Sequence, residues 1–190
     1  MIVSGVLLIA DAGVTLLWQE PFSAYVADRQ QASLGRQLED PPKRVLRRQP
    51  LRGDAIGRID LRAIHRSYYV VEGTDADSLR KGPGHYPDTP LPGDRGTVAI
   101  AGHRTTYGAP FRHIDNLGKG DPIVVEMPYG TFRYRVEETR IVPANALWIT
   151  DPVGYDRLVL SACHPLYSAA ERVVVFARLV TRGPPQVQKS

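Results

Sequence analysis

From Ala55 onward the chain is a succession of short runs rich in Val, Ile, Tyr and Thr, cut apart by Gly, Pro, Asp and Asn. Eight stand out: "AIGRIDL", "YYVVEG", "GTVAIAGH", "DPIVVEM", "GTFRYRVEETRIV", "NALWIT", "RLVLSAC" and "RVVVFARLV". Most are too short for an ordinary helix, and their composition suits a pleated, half-buried surface. In "GTFRYRVEETRIV", Phe132, Tyr134 and Val136 alternate with Arg133, Arg135 and Glu137, the period of a strand with one dry face. "MPYGTF" at 127–132 reads as a hairpin. Helical signal is sparse. "TDADSLRKGPGHY" offers Thr74 or Asp75 as an N-cap, and "APFRHIDNL" has room for one or two turns. Eight short strands with little helix predict an all-β fold, a closed barrel or a sandwich.

The first 18 residues are of another kind. "MIVSGVLLIADAGVTLLW" carries one charge, Asp11, and ends on Trp18. A helix of that length spans roughly 27 Å, near the lower limit for crossing a bilayer. The run is long for the core of a cleaved signal peptide, and no small-x-small site follows it. Residues 1–20 are therefore expected to be a membrane anchor helix. Residues 21–53 read as a juxtamembrane linker. Its "PPKRVLRRQPLR" is either a solvated spacer or a basic stretch lying against anionic head groups. Residues 54–182 form the folded domain and 183–190 a C-terminal tail.

A net charge of +4 is too small and too dispersed to make nucleic acid the expected partner. One cysteine excludes an internal disulfide and any multi-cysteine metal site. The five histidines, His65, His85, His103, His113 and His164, show no metal-ligand spacing, so neither metal nor cofactor is expected. The lone thiol, Cys163, closes the run "RLVLSAC" just before Pro165, where a chain turns and a side chain becomes accessible. A thiolate nucleophile needs a basic or cationic neighbour. His164 is adjacent, but in an extended segment it points to the opposite side. His65, His85 and His113 sit in polar surroundings and read as surface or turn residues. His103 closes "TVAIAGH" before the polar loop "RTTYGAP", and is the best-placed base. Arg172 opens the final run after "PLYSAAE". It is either a solvated strand-end arginine paired with Glu171 or a cation returned beside Cys163, where it would stabilise an oxyanion.

Together, the strand-ending "AGHR", the strand-ending cysteine in "LSACHP" and an arginine opening the next strand resemble the sortases, cysteine transpeptidases of Gram-positive cell surfaces. The resemblance covers roughly residues 54–182. "CHPLYSAAERVVVFARL" is most similar to the class E group of GC-rich actinobacteria, a source that fits a basic complement in which lysine is confined to Lys43, Lys81, Lys119 and Lys189. The resemblance implies an eight-stranded sortase-type β-barrel with short helices, preceded by an N-terminal transmembrane helix, with the catalytic domain outside the cytoplasm. It implies that Cys163 attacks the Thr–Gly carbonyl of an LAXTG- or LPXTG-type sorting motif on a secreted protein, that His103 moves the protons, and that Arg172 steadies the oxyanion. The acceptor would be an amine of a peptidoglycan precursor or stem peptide. The family pattern before the cysteine is Thr-Leu-x-Thr-Cys, whereas this chain has Val159-Leu160-Ser161-Ala162-Cys163, so Ala162 brings no hydroxyl to the substrate. Tyr107 and Tyr167, in the loops after His103 and Cys163, are candidates to line the motif groove with Ala162. Two other readings stay open at this point. A peptidoglycan L,D-transpeptidase also pairs Cys with His, but in a Ser-x-Gly-Cys setting absent here. A non-catalytic membrane-tethered β-domain would bury the thiol.

Overall fold

The computed structural model describes residues 25–185. Eight strands close into one barrel in the order β1-β2-β3-β4-β7-β8-β6-β5. They are β1 (Ala55–Leu61), β2 (Arg66–Glu72), β3 (Gly84–His85), β4 (Thr97–Ala101), β5 (Pro122–Met127), β6 (Gly130–Pro143), β7 (Arg157–His164) and β8 (Glu171–Gly183). The β2–β3 and β4–β7 pairs are parallel and the others antiparallel. Closure leaves no strand edge unpaired.

The interior is filled from every side by alternate residues, among them Ile59, Ile100, Tyr134, Leu158, Leu160 and Val175. Phe111, Ile114 and Leu117, on the short 3-10 turn Ile114–Asn116 and its approach, are fully or nearly buried in that core. A second, smaller cluster lies on the outer face of β4, β7, β8 and β6: Ala99, Val142, Ile149, Val159, Val174 and Phe176.

The alternation of Phe132, Tyr134 and Val136 inward with Arg133 and Arg135 outward is as expected, and β5 and β6 form the hairpin across Met127 and Gly130. The helix signal at 74–80 resolves to α3 (Ala76–Leu79), capped by the Asp75 carboxylate, which accepts from the Ser78 N–H at 3.1 Å. Two expectations are corrected. "NALWIT" is not a strand. Leu147–Thr150 is a 3-10 turn that buries Ile149 in the outer cluster and stacks Trp148 on Phe176, ring centroids 6.1 Å apart. With β4 and β8 already bonded to its neighbour β7, the sheet has no edge for it there. The eighth strand is instead the two-residue β3, and His85, read as a turn or surface residue, is buried in it. Its Nδ1 lies 2.9 Å from the Glu72 carboxylate and its Nε2 3.0 Å from the Pro90 carbonyl.

The stretch that reads as a spacer is built in from residue 25 onward. Residues 25–39 are helical, and this helix, α1, runs along the outside of β1 and β2. Leu34 packs with Ala55 and Val71, and Gln31 bonds both backbone groups of Tyr69 and the Lys81 carbonyl. The second helix, α2 (Lys43–Leu46), presents Arg44 to Asp54 in a two-pronged pair at 2.7 and 2.6 Å. Arg48 pairs with Asp94 and lies over the Tyr129 ring. Two of the basic side chains that suggested lipid contact thus have protein partners. Among the described residues no helix is long and apolar enough to cross a membrane. The expected anchor, 1–20, and most of the expected tail, 183–190, lie outside the described residues.

Candidate active site

β7 alternates strictly: Leu158, Leu160 and Ala162 point into the barrel, while Val159 faces the outer cluster with Ser161 and Cys163 on its side of the strand. The antiparallel return of β8 sets Arg172 directly opposite Cys163 and Glu171 opposite His164. Directly opposed residues share a face, so the thiol and the guanidinium stem emerge side by side. On the other flank, β4 runs parallel to β7, with Ala101 level with Ser161. The Gly102 N–H continues that ladder to the Ser161 carbonyl at 3.0 Å. His103 follows two residues after Ala101, just beyond the paired segment of β4. β7 and β8 thus bring the thiol and the guanidinium to the end of the barrel at which β4 also ends, and the thiol there is free and partly exposed.

Gly102 is required by contact. A Cβ on it would lie 2.6 Å from the Phe111 ring, while the Phe111 N–H donates to the His103 carbonyl at 2.9 Å. The apolar plug therefore sits directly against the backbone that carries the histidine. His103 is half-buried, and its imidazole is held below its ordinary pKa, first by burial and then by the Arg80 charge. Its ring lies 5.1 Å from that of Tyr107.

Among the described residues Arg172 bonds carbonyls rather than carboxylates. Its Nη1 donates to Ala169 at 3.0 Å and to the Glu171 main chain at 2.8 Å, which folds it over the β7–β8 loop. Tyr167 stands on the same loop, 73% exposed. Ala162 is displaced from any groove, because its methyl is buried in the barrel core and only its backbone faces the site. The hydroxyl on the thiol's side of β7 belongs to Ser161, which meets the Tyr86 hydroxyl at 3.1 Å.

His164 turns to the side opposite Cys163, where its Nδ1 accepts from Arg104 at 3.2 Å. Arg104 is itself buried and bonds the Asp115 carboxylate at 2.8 Å and the Arg112 carbonyl at 3.1 Å. It ties the segment after β4 to the end of β7. An arginine in a polar loop carries no local sign of such burial, and the sequence reading passes over Arg104, Arg80 and Tyr86 alike. Among the described residues no group of His, Cys, Asp and Glu gathers as metal donors.

Comparison with known proteins identifies the family and the fold. The Sortase domain family matches residues 59–180. Sortase D of Bacillus subtilis is 34% identical over 156 residues, covering 80% of this chain and 77% of that protein. Sortase SrtE1 of Streptomyces coelicolor is 33% identical over 132 residues, and the match spans 37% of its length. Among solved structures, sortase E from Streptomyces avermitilis superposes with a TM-score of 0.66 at 30% identity, covering 74% of this chain and 97% of that one. Sortase E1 from Streptomyces coelicolor, solved with a tripeptide in its active site, gives 0.65 at 27% identity, covering 70% and 91%. Class D and class E relatives are both represented. The barrel, the strand-end thiol and the family match agree: this chain belongs to the sortase family of cysteine transpeptidases.

Proposed function

We propose that the chain is a membrane-anchored sorting transpeptidase that cuts an LAXTG- or LPXTG-type signal between Thr and Gly and joins the released protein to a peptidoglycan amine. The observation that supports this reading is the register of β7 and β8, which sets Arg172 opposite Cys163 at the end of the barrel where β4 also ends, two residues before His103.

The Cys163 thiolate attacks the Thr carbonyl carbon and forms a C–S bond, and the π electrons move onto oxygen. Arg172 and strand-end N–H groups stabilise that oxyanion. Among the described residues Arg172 spends Nη1 on loop carbonyls, so Nη2 and Nε are the donors it offers. Collapse breaks the Thr–Gly C–N bond, and the leaving amine takes a proton from His103. The acceptor amine then gives its proton to His103 and attacks the thioester, and the thiolate is returned. Burial and Arg80 favour the neutral imidazole, the form that accepts the incoming amine's proton. The protonated form that serves the leaving amine is the minority form above that lowered pKa. Tyr107 and Tyr167 flank the groove, no metal or cofactor takes part, and the domain works outside the cell membrane.

The test uses the full chain in detergent micelles with LAXTG and LPXTG peptides and an amine acceptor, read by mass spectrometry. Cleavage between Thr and Gly, with a transient acyl adduct on Cys163 that Cys163→Ala abolishes, is the expected result. If neither peptide is cut and His103→Ala behaves like the parent, the reading fails. The ratio of the two peptide rates separates the motifs.

A further inference from the structure

The loop that follows His103 folds back onto its own histidine. Tyr107, Gly108 and Ala109 all take positive φ, at 52°, 74° and 44°. Non-glycine residues seldom adopt that backbone region unless their surroundings hold them there. The turn brings the Tyr107 ring to 5.1 Å from the imidazole, inclined by 47°. Arg80, the residue that ends α3, reaches the same ring from outside. Its Nε donates to the Tyr107 hydroxyl at 3.3 Å and its Cζ lies 5.8 Å from the ring centroid. Arg80 is steered by Asp77, whose carboxylate is 2.9 Å from Nη1. α3 in turn is pinned at its start, where the Ser78 hydroxyl meets the Asp75 carboxylate at 2.8 Å. Ala27 of α1 closes the loop from beneath, so near that a Cβ on Gly108 would come within 3.1 Å of it.

We propose that Tyr107 and Arg80 are positioning residues for His103: Tyr107 sets the plane of the imidazole, and Arg80 holds Tyr107 in place. The inference rests on the reading that His103 works with Cys163. It moves Tyr107 from the groove lining to the support of the base. The groups shown to act on the imidazole are the Tyr107 ring, 5.1 Å away, and the Arg80 charge, with Asp77 as the partner of Arg80. Arg80 therefore acts twice, through the tyrosine as a brace and through space as a cation that favours the neutral ring.

The four informative variants are Tyr107→Phe, Tyr107→Ala, Arg80→Gln and Arg80→Lys, each made in the full chain. Carbon-13 labelled histidine reports the titration midpoint of His103 directly, and sorting-peptide turnover gives kcat and KM. Arg80→Gln is expected to move the His103 midpoint upward, and Arg80→Lys to leave it near the parent, because the cation is kept. Tyr107→Ala is expected to lower kcat about tenfold or more with KM within about twofold, and Tyr107→Phe to fall between. Thermal unfolding identifies a variant that has lost its fold, and if Tyr107→Ala is such a one, Tyr107→Phe and Arg80→Gln decide. An unchanged His103 midpoint in Arg80→Gln together with unchanged kcat in Tyr107→Phe overturns the inference. So does a Tyr107→Ala enzyme whose KM rises while kcat holds, since that marks a residue that binds peptide. If the parent cuts no sorting peptide but the midpoint still moves, the transpeptidase reading falls while the action of Arg80 on His103 stands.

Discussion

Replacing Gly102 with alanine isolates the link between packing and chemistry. The residue does not have a positive φ, so an alanine brings no backbone strain of its own. The added methyl would lie 2.6 and 2.7 Å from two ring carbons of Phe111. Ordinary carbon contacts begin near 3.5 Å, so either the Phe111 ring or the β4 exit must give by roughly 0.8–0.9 Å. Phe111 is fully buried in the barrel core, and the Gly102 N–H is tied to β7. Overpacking of this kind costs about 1–3 kcal/mol. For a domain of this size that lowers the melting midpoint by roughly 2–12 °C. The larger effect is on rate. His103 is the next residue, and its carbonyl is bonded to Phe111, so it shares the displacement. Misplacing a catalytic group by about 1 Å costs on the order of a hundredfold. The assay pairs a thermal melt with kcat/KM on the sorting peptide. A Gly102→Ala protein that melts like the parent and turns over within twofold of it would refute the argument.

Further outcomes follow from other contacts. Leu34→Ala, in the seam between α1 and the sheet, is expected to cost about 2–4 kcal/mol in chemical denaturation, and to make residues 25–39 the first site of limited proteolysis. Glu72→Leu leaves the buried His85 ring without its carboxylate and is expected to cost about 3 kcal/mol, and the double variant Glu72→Leu/His85→Leu should recover part of that in a double-mutant cycle. The Arg44 hydrogen bond holds the Asp54 carboxyl below the usual range. A depressed carboxyl adds stability above its unfolded pKa, near 4, and that contribution is lost as pH falls through the folded value. The melting midpoints of the parent and Arg44→Gln should therefore differ at pH 6 and draw together as the pH drops below about 4.

How much of this was legible in the chain depended on whether the signal was local. The side alternation of β6 shows in Phe132, Tyr134 and Val136 because a half-wet strand writes its period into the sequence. The short loop between Cys163 and Arg172 allows their meeting across β7 and β8, one of the two readings that the spacing leaves open. β3 was not readable. Two residues carry no period, and Gly84 is there because a Cβ would lie 2.1 Å from the Gly73 carbonyl, a constraint set by distant chain. "NALWIT" had strand composition, but composition does not reveal that the sheet edges nearby are taken. The α1 segment has helix-compatible composition, weakened by Gly35, but its stripe Ala27, Gln31, Leu34 and Leu38 was hidden because one of its four members is polar and is held by backbone hydrogen bonds. Arg104 and Arg80 stand in polar segments, and only the fold reveals what they touch.

The direction of α1 has a geometric consequence. Its first turn lies by Gly108, in the loop after His103, and its later turns run toward Ala55, at the far end of the barrel. The polypeptide thus joins the barrel at the end that bears the thiol. Between Trp18, which closes the apolar run, and Tyr25 only a handful of residues intervene, with a reach of at most about 25 Å when drawn straight. With the apolar run seated in a bilayer, as proposed, Cys163 works on a short leash. Its substrates would have to come to the lipid surface, both the protein awaiting transfer and the amine that receives it.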